Sequence, residues 1–329
     1  MAVDRRAPPW PVVIATTLRL WLGRRGKMLG KLSRRHWAPL VLAMAFLVAG
    51  LAVFFRVSAG GFALAARHEA TQGDRVAGAP DQQAAVGRAA ALWVTRQVSR
   101  GAMVACDPGM CRVLREQGFP AGNVLVLGSR AEGLRYCDLV VATQAVRDLA
   151  GSGLQLQDAP AVIASFGSGE ERIDVRAVAG GGARAYRAAL AADWAARRTA
   201  AAELVKSPRI QAKGGARLDL LAGKVDSRLL ITLAALAASY PVRVVMFGDS
   251  GPGASAGVPM REMEIAGAGD PGKRHSELRR IRSFVLMQHA VFQPARVSQV
   301  RLAPGGTALL IEFGAPDPLG LLHGRPVNQ

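Results

Sequence analysis

Residues 102–142, AMVACDPGMCRVLREQGFPAGNVLVLGSRAEGLRYCDLVVA, decide the fold class. Ala102–Cys106 is a short apolar run. Asp107-Pro108 then pairs an N-capping acid with a first-turn proline, and Gly118 stops the helix that follows. Asn123–Leu127 (NVLVL) and Asp138–Ala142 (DLVVA) are two further apolar runs too short for helices. Buried strands separated by helical segments are the signature of an α/β sheet covered on both faces.

Downstream, Ala161–Ser165 and Arg172–Val178 read as a fourth and fifth strand, and Ala-rich Arg184–Lys206 as a helix ended by Pro208. Upstream, Val86, Ala90, Trp93, Val94 and Gln97 recur at helical spacing after Asp81. Residues 81–208 are therefore expected to form a three-layer α/β unit. A smaller α+β unit is expected over 209–315. Asp226 caps a helix carrying Leu229, Leu230, Leu233, Leu236 and Ala237, and Val242–Phe247 follows as a buried strand. Met260–Ile265 is a further strand, Ser276–Ala290 a helix, and Val297–Leu302 with Thr307–Phe313 a hairpin. Ala315 onward reads as loose, with 316–329 as a tail.

Before these units lies WAPLVLAMAFLVAGLAVFF, Trp37–Phe55, with no charged side chain. At about 1.5 Å per residue it spans roughly 28 Å, the thickness of a bilayer core. A transmembrane helix is expected at 37–56, a basic cytoplasmic arm at 1–36 and a flexible tether at 57–80. The arm carries nine Lys and Arg against Asp4 alone, out of a formal charge of +18 for the chain. Such an arm stays inside, which places everything beyond the span outside the cytoplasm. Ser33-Arg34-Arg35 partly matches a twin-arginine export signal, with Ala63-Leu64-Ala65 as a cleavage site, but the apolar run is longer than a signal peptide's. Arg24, Arg25, Lys27 and Lys31 are placed to meet anionic lipid headgroups. An exported domain with few aromatics excludes nucleic acid as a partner. The expected partners are the bilayer and an acidic envelope polymer or another membrane protein.

No motif carries catalysis. Phe247-Gly248-Asp249-Ser250-Gly251 resembles the nucleophile block of GDS-type esterases over five residues and makes Ser250 the one candidate nucleophile. That family's block opens the catalytic domain and a DxxH later supplies its base. Here the block sits late and no DxxH follows. Phe166-Gly167-Ser168-Gly169-Glu170 follows a strand, but RIDVRAV after it is a strand pattern where a phosphate loop needs a helix. Gly180-Gly181-Gly182 precedes a helix without a P-loop's Lys or Thr. Gly223–Ile265 weakly resembles the tail of metal-dependent peptidoglycan carboxypeptidases, without a histidine in its loop. No metal and no cofactor are expected. Loops at strand ends are the expected binding surface, through Asp107, Gly167, Ser168, Asp249 and Ser250. Cys106, Cys111 and Cys137 allow three disulfide pairings. The pair 106–111 is favoured because a strand end and the next helix's first turn lie close.

WVTRQVSRGAMVACDPGMC, DLVVAT, VIASFGSGEERIDVR, VRVVMFGDSGPGAS and the closing IEFGAPDPLG together resemble a group of uncharacterised single-pass membrane-anchored envelope proteins of actinobacteria. The resemblance implies location in the cell envelope and transfers no functional residue. The sequence alone thus points to a tethered binding or scaffolding protein, with a serine hydrolase using Ser250 as the alternative.

Overall fold

A computed structural model describes residues 79–128, 133–269, 274–302 and 305–322. The expected arm, membrane span and nearly all of the tether lie outside the described residues. No helix among the described residues is long and apolar enough to cross a membrane.

The described chain is a mixed α/β fold with two five-stranded sheets and seven helices. Helix α1 (Ala79–Gln97) leads into β1 (Val104–Cys106), α2 (Pro108–Glu116) and β2 (Val124–Val126). Asp107 caps α2 as its sequence requires, accepting from the amides of Gly109 and Met110. Next come β3 (Leu139–Ala142), α3 (Gln144–Ala150), β4 (Ala161–Phe166) and β5 (Ile173–Ala177). The first sheet is ordered β2-β1-β3-β5-β4, with β1 parallel to β2 and β3, and β5 antiparallel to both β3 and β4. Alternation along each strand splits its apolar residues. Val104, Cys106, Leu139, Val141, Ile163 and Val175 pack with Ala90, Val94 and Leu114 of the helices. Ala105, Val140 and Ala142 pack on the other side with Val146 and Leu154.

Helix α4 (Ala183–Leu204) crosses to the second sheet, which adds β6 (Ile210–Ala212), α5 (Gly214–Leu221), α6 (Ser227–Ser239) and β7 (Val242–Gly248). It is completed by β8 (Glu262–Gly267), α7 (Arg274–Leu286), β9 (Arg296–Arg301) and β10 (Thr307–Glu312), in the order β6-β7-β8-β10-β9. Leu229, Leu233 and Leu236 of α6 and Leu278, Ile281 and Val285 of α7 share one core with Val242, Met263, Leu309 and Ile311. Helical spacing on one side and strand alternation on the other produce that match. Arg243 and Met246 of β7 stay exposed.

The two sheets fall on either side of the boundary expected near residue 209, yet both belong to one compact unit. Three extra elements escape the sequence reading: α3, β6 and α5. The segment from Ala315 is also not loose. Ala315 is fully buried, forms a parallel bridge with Val98, and donates its N–H to the Gln97 carbonyl at 2.8 Å. Asp317 is buried with it.

The second sheet reaches the first through residues 249–255. This strap runs along β4, the edge strand. Ser165 donates its N–H to the Pro252 carbonyl at 2.7 Å, and Ser255 donates to the Val162 carbonyl at 2.8 Å. The Val162 N–H is taken by the Ser255 hydroxyl at 2.9 Å. Three edge groups that would otherwise invite a foreign strand are thereby occupied. Gly251 makes the approach feasible, because it has φ +83° and a side chain there would collide with the Ile163 carbonyl. Gly251→Ala should lower stability by ~2 kcal/mol or more, read as a fall in chemical-denaturation midpoint. Gly101→Ala, with open space around it, should leave the midpoint nearly unchanged. Equal midpoints for the two variants would remove the strap from the fold's stability.

Candidate functional site

The feature with the most chemistry is a cleft of about 1510 Å³ at the seam between the sheets. Its walls come from the end of α1, the first half of α4, residues 258–261, the turn at 290–295 and the segment 314–320. Charged and polar residues from several of these walls line it, among them Tyr186, Asp193, Arg228, Arg261 and Asp317.

Asp193 and Arg197 are one turn apart on α4 and both side chains are fully buried, with Arg197 Nε 2.8 Å from Asp193 Oδ2. That approach is off-line, an ion pair rather than a directed hydrogen bond. Directed bonds come from elsewhere: Ser227 Oγ donates to Asp193 Oδ1 at 2.9 Å. Arg197 donates to the carbonyls of Gly223 at 2.7 Å and Gly257 at 3.1 Å. Next along, Asp226 caps α6 through the Arg228 amide and holds the Arg228 guanidinium at 2.5 Å. Arg228 in turn lies 5.0 Å over the Phe313 ring and 3.6 Å from Asp317.

Asp317 is the unusual member. Neither of its carboxyl oxygens has a hydrogen-bond donor among the described side chains and backbone. Burial, and then the charge on Asp226, push its carboxyl well above the ordinary carboxylate range. Burial opposes ionisation of Asp226 too, but the Arg228 guanidinium and its hydrogen bonds outweigh it and hold Asp226 below that range. The two shifts run in opposite directions, so Asp317 is the member of the pair that holds its proton to higher pH. Tyr186 on α4 faces Asp317 and Asp193, and burial first, then those two neighbouring carboxyl groups, raise its phenol to about 12. It stays protonated and able to donate. The cleft thus holds a carboxyl that resists ionisation, a phenol and two arginines, Arg228 and Arg261.

None of the five residues expected to bind lines this cleft. Asp107 is occupied: besides its two helix amides, its Oδ2 accepts from the Thr143 hydroxyl at 2.6 Å. That bond sits where β1 and β3 end side by side, the position at which an open sheet offers a crevice. The Cys106–Cys111 disulfide, with Cα atoms 5.4 Å apart, lies at the same place. Gly167 and Ser168 turn the β4–β5 hairpin, three strand spacings from β1, or ~14 Å. Gly167 has φ +68° and packs against Val86 of α1. Cys137 is buried with its thiol raised to about 11 by burial and then by Asp138, so it stays protonated.

Asp249 reaches the cleft indirectly. It adopts φ 51°, closes a turn by accepting from the Gly251 amide at 2.8 Å, and accepts from Arg261 Nη2 at 2.9 Å. Ser250 has no hydrogen-bonded base among the described residues, and the adjacent carboxylate is committed to Arg261. A nucleophile needs that base within hydrogen-bond reach. No group of three or more His, Cys, Asp or Glu among the described residues could hold a metal ion.

Sequence reading missed Tyr186, Asp193, Arg197, Arg228, Arg261 and Asp317. One signal was available: Asp193 is the lone acid inside the Ala-rich segment ALAADWAARR, with Arg197 four residues on. Asp226 and Arg228 are also near in sequence, but Asp317 lies 89 positions from Arg228 and Ser227 lies 34 from Asp193.

Asp317 gives a pH test. Between the ordinary carboxyl range near ~4 and its raised folded value, the folded state binds more protons than the unfolded one. Stability should therefore fall as pH rises through that window, with a slope of at most ~1.4 kcal/mol per pH unit for the one proton. Asp317→Asn, which cannot ionise, should remove that component, so it gains on the parent as pH rises. Parallel stability profiles for the two proteins would contradict the raised Asp317 carboxyl. No family model, curated protein or solved structure matches this chain, so the chemistry of the site rests on its own residues.

Proposed function

We propose that this is a membrane-tethered extracytoplasmic protein whose cleft binds a component of the cell envelope without turning it over. In this reading a transmembrane helix at 37–56 anchors the chain, with residues 1–36 inside, a tether at 57–80, and the two sheets outside. The first sheet, with apolar clusters on both faces, supports a three-layer α/β unit, and the second supports a smaller α+β unit with one face open. The Cys106–Cys111 disulfide supports an oxidising compartment. The single observation carrying the binding reading is a cleft of about 1510 Å³ whose buried Asp317 carboxyl has no donor from the described protein groups. A group left unsatisfied in a cleft is one a ligand can satisfy. An amine, amide or sugar hydroxyl is the complementary chemistry, with Arg228 and Arg261 available to an acidic partner. Ser250 has no part in this reading, since nothing around it supplies a base.

A cysteine placed in the cleft tests location and binding together. The natural thiols leave it alone, since two are bonded and Cys137 is buried. Val291→Cys lines the cleft and is 44% exposed, while Leu218→Cys on α5 is 68% exposed and outside it. A membrane-impermeant photoactivatable maleimide should label both variants in intact cells. Illumination should then capture an envelope component from position 291 only. Labelling of neither variant would overturn export, and identical products at both positions would overturn the cleft as the site.

A further inference from the structure

A second, smaller recess of about 410 Å³ shares no lining residue with the cleft. It lies at the β4–β5 turn, and Arg147, Arg172 and Arg176 converge on it. The sequence puts them there by alternation and by one helical turn. Ile173, Val175 and Ala177 of β5 face the core, so Arg172, Asp174 and Arg176 face the other way. Arg147 sits on α3, directly after β3, the strand paired with β5.

The guanidinium groups are only partly used. Arg147 is tied to the scaffold, donating to the carbonyls of Ala142 at 3.0 Å and Glu170 at 2.9 Å and to Gln144 Oε1 at 2.7 Å. Asp174 takes Arg172 Nε at 2.7 Å and Arg176 Nη2 at 3.0 Å. Burial opposes its ionisation, but the bonds from Arg172 and Ser165 and the Arg176 charge outweigh that and hold it below the ordinary range. Two sets of donors remain. Arg176 is 6% exposed and its Nε has no partner among the described residues, a buried cationic donor left unmatched. Among the described residues Arg172 is committed only through Nε, which leaves both terminal nitrogens available as a fork. Three guanidinium groups face one buried carboxylate, with Glu170 at the exposed rim.

We propose that this recess binds an oxyanion of the phosphate class, held bidentately by the Arg172 fork against the Arg176 guanidinium. A planar fork matches two oxygens of such a group, and a low-dielectric floor strengthens the contact. The source is either free phosphate or a phosphomonoester end group on a larger molecule. Gly169 and Glu170 form the rim, which places the recess beside Gly167 and Ser168, the loop singled out in the sequence.

The test uses the full chain in a non-ionic detergent, with inorganic phosphate, glycerol 1-phosphate and sodium chloride titrated at matched ionic strength. Both phosphates should raise the thermal midpoint saturably where chloride does not. Arg172→Gln, at a half-exposed position, should fold normally and weaken both phosphates at least tenfold. Arg176→Lys, which keeps the charge and loses the fork geometry, should weaken them as well. Should the Lys variant fail to fold, Arg172→Gln alone decides. Tighter binding of glycerol 1-phosphate assigns an end group, and equal binding assigns the free ion. Midpoints that follow chloride, or unchanged affinity in Arg172→Gln, would overturn the site.

Discussion

Arg261 is the contact on which the arrangement of the two sheets depends. Its side chain is 1% exposed, and its guanidinium gathers three pieces of chain around one group. One terminal nitrogen donates to the carbonyl of Gln97 at 3.2 Å, where α1 ends, and to that of Phe313 at 3.3 Å, just past β10. The other holds Asp249 at the root of the strap, and the guanidinium lies 5.6 Å over the Trp93 ring. Removing one partner from a buried pair of this kind costs about 3–5 kcal/mol, because the other charge stays behind without compensation. Burial and nearby Arg228 pull the guanidinium pKa down from its ordinary value, while Asp249 and Asp226 oppose the shift.

The same placement builds the cleft. Arg261 fixes the segment 313–317 against α1, and that segment carries Asp317 to the side of Asp226 and Arg228. A buried carboxyl beside a buried carboxylate is a costly arrangement for stability alone, since an apolar pair of similar volume would avoid both desolvation penalties. The proposed binding role accounts for it, as a ligand group held ready at a seam to which both halves of the chain contribute. The strap has the complementary role of closing the β4 edge of the first sheet.

Much of the fold was legible because its elements are locally encoded. β1, β3, β7 and α6 are apolar runs of the right length, and Asp107 and Asp226 cap the helices that their positions announce. α3 has seven residues and β6 three, too few for a period to show against the surrounding chain. The site was far less legible. The glycines of Phe247–Gly251 serve a turn whose purpose is set by the Ile163 carbonyl and by Arg261, which no local pattern reveals. The Pro- and Gly-rich composition of GAPDPLG reads as a loose end. What orders it are partners at Gln97, Asp193 and Arg228, contacts visible only once the chain has closed on itself.

The claim that Arg261 joins the two sheets and shapes the cleft is tested most directly by amide hydrogen exchange on the full chain, parent against Arg261→Gln. The account predicts faster exchange at Ser99, Val162, Ser165, Gly251, Ser255 and Ala315, whose amides bond across or beside the seam, with β1 and β3 unchanged. Faster exchange spread evenly through both sheets, or no change at the seam amides, would contradict it.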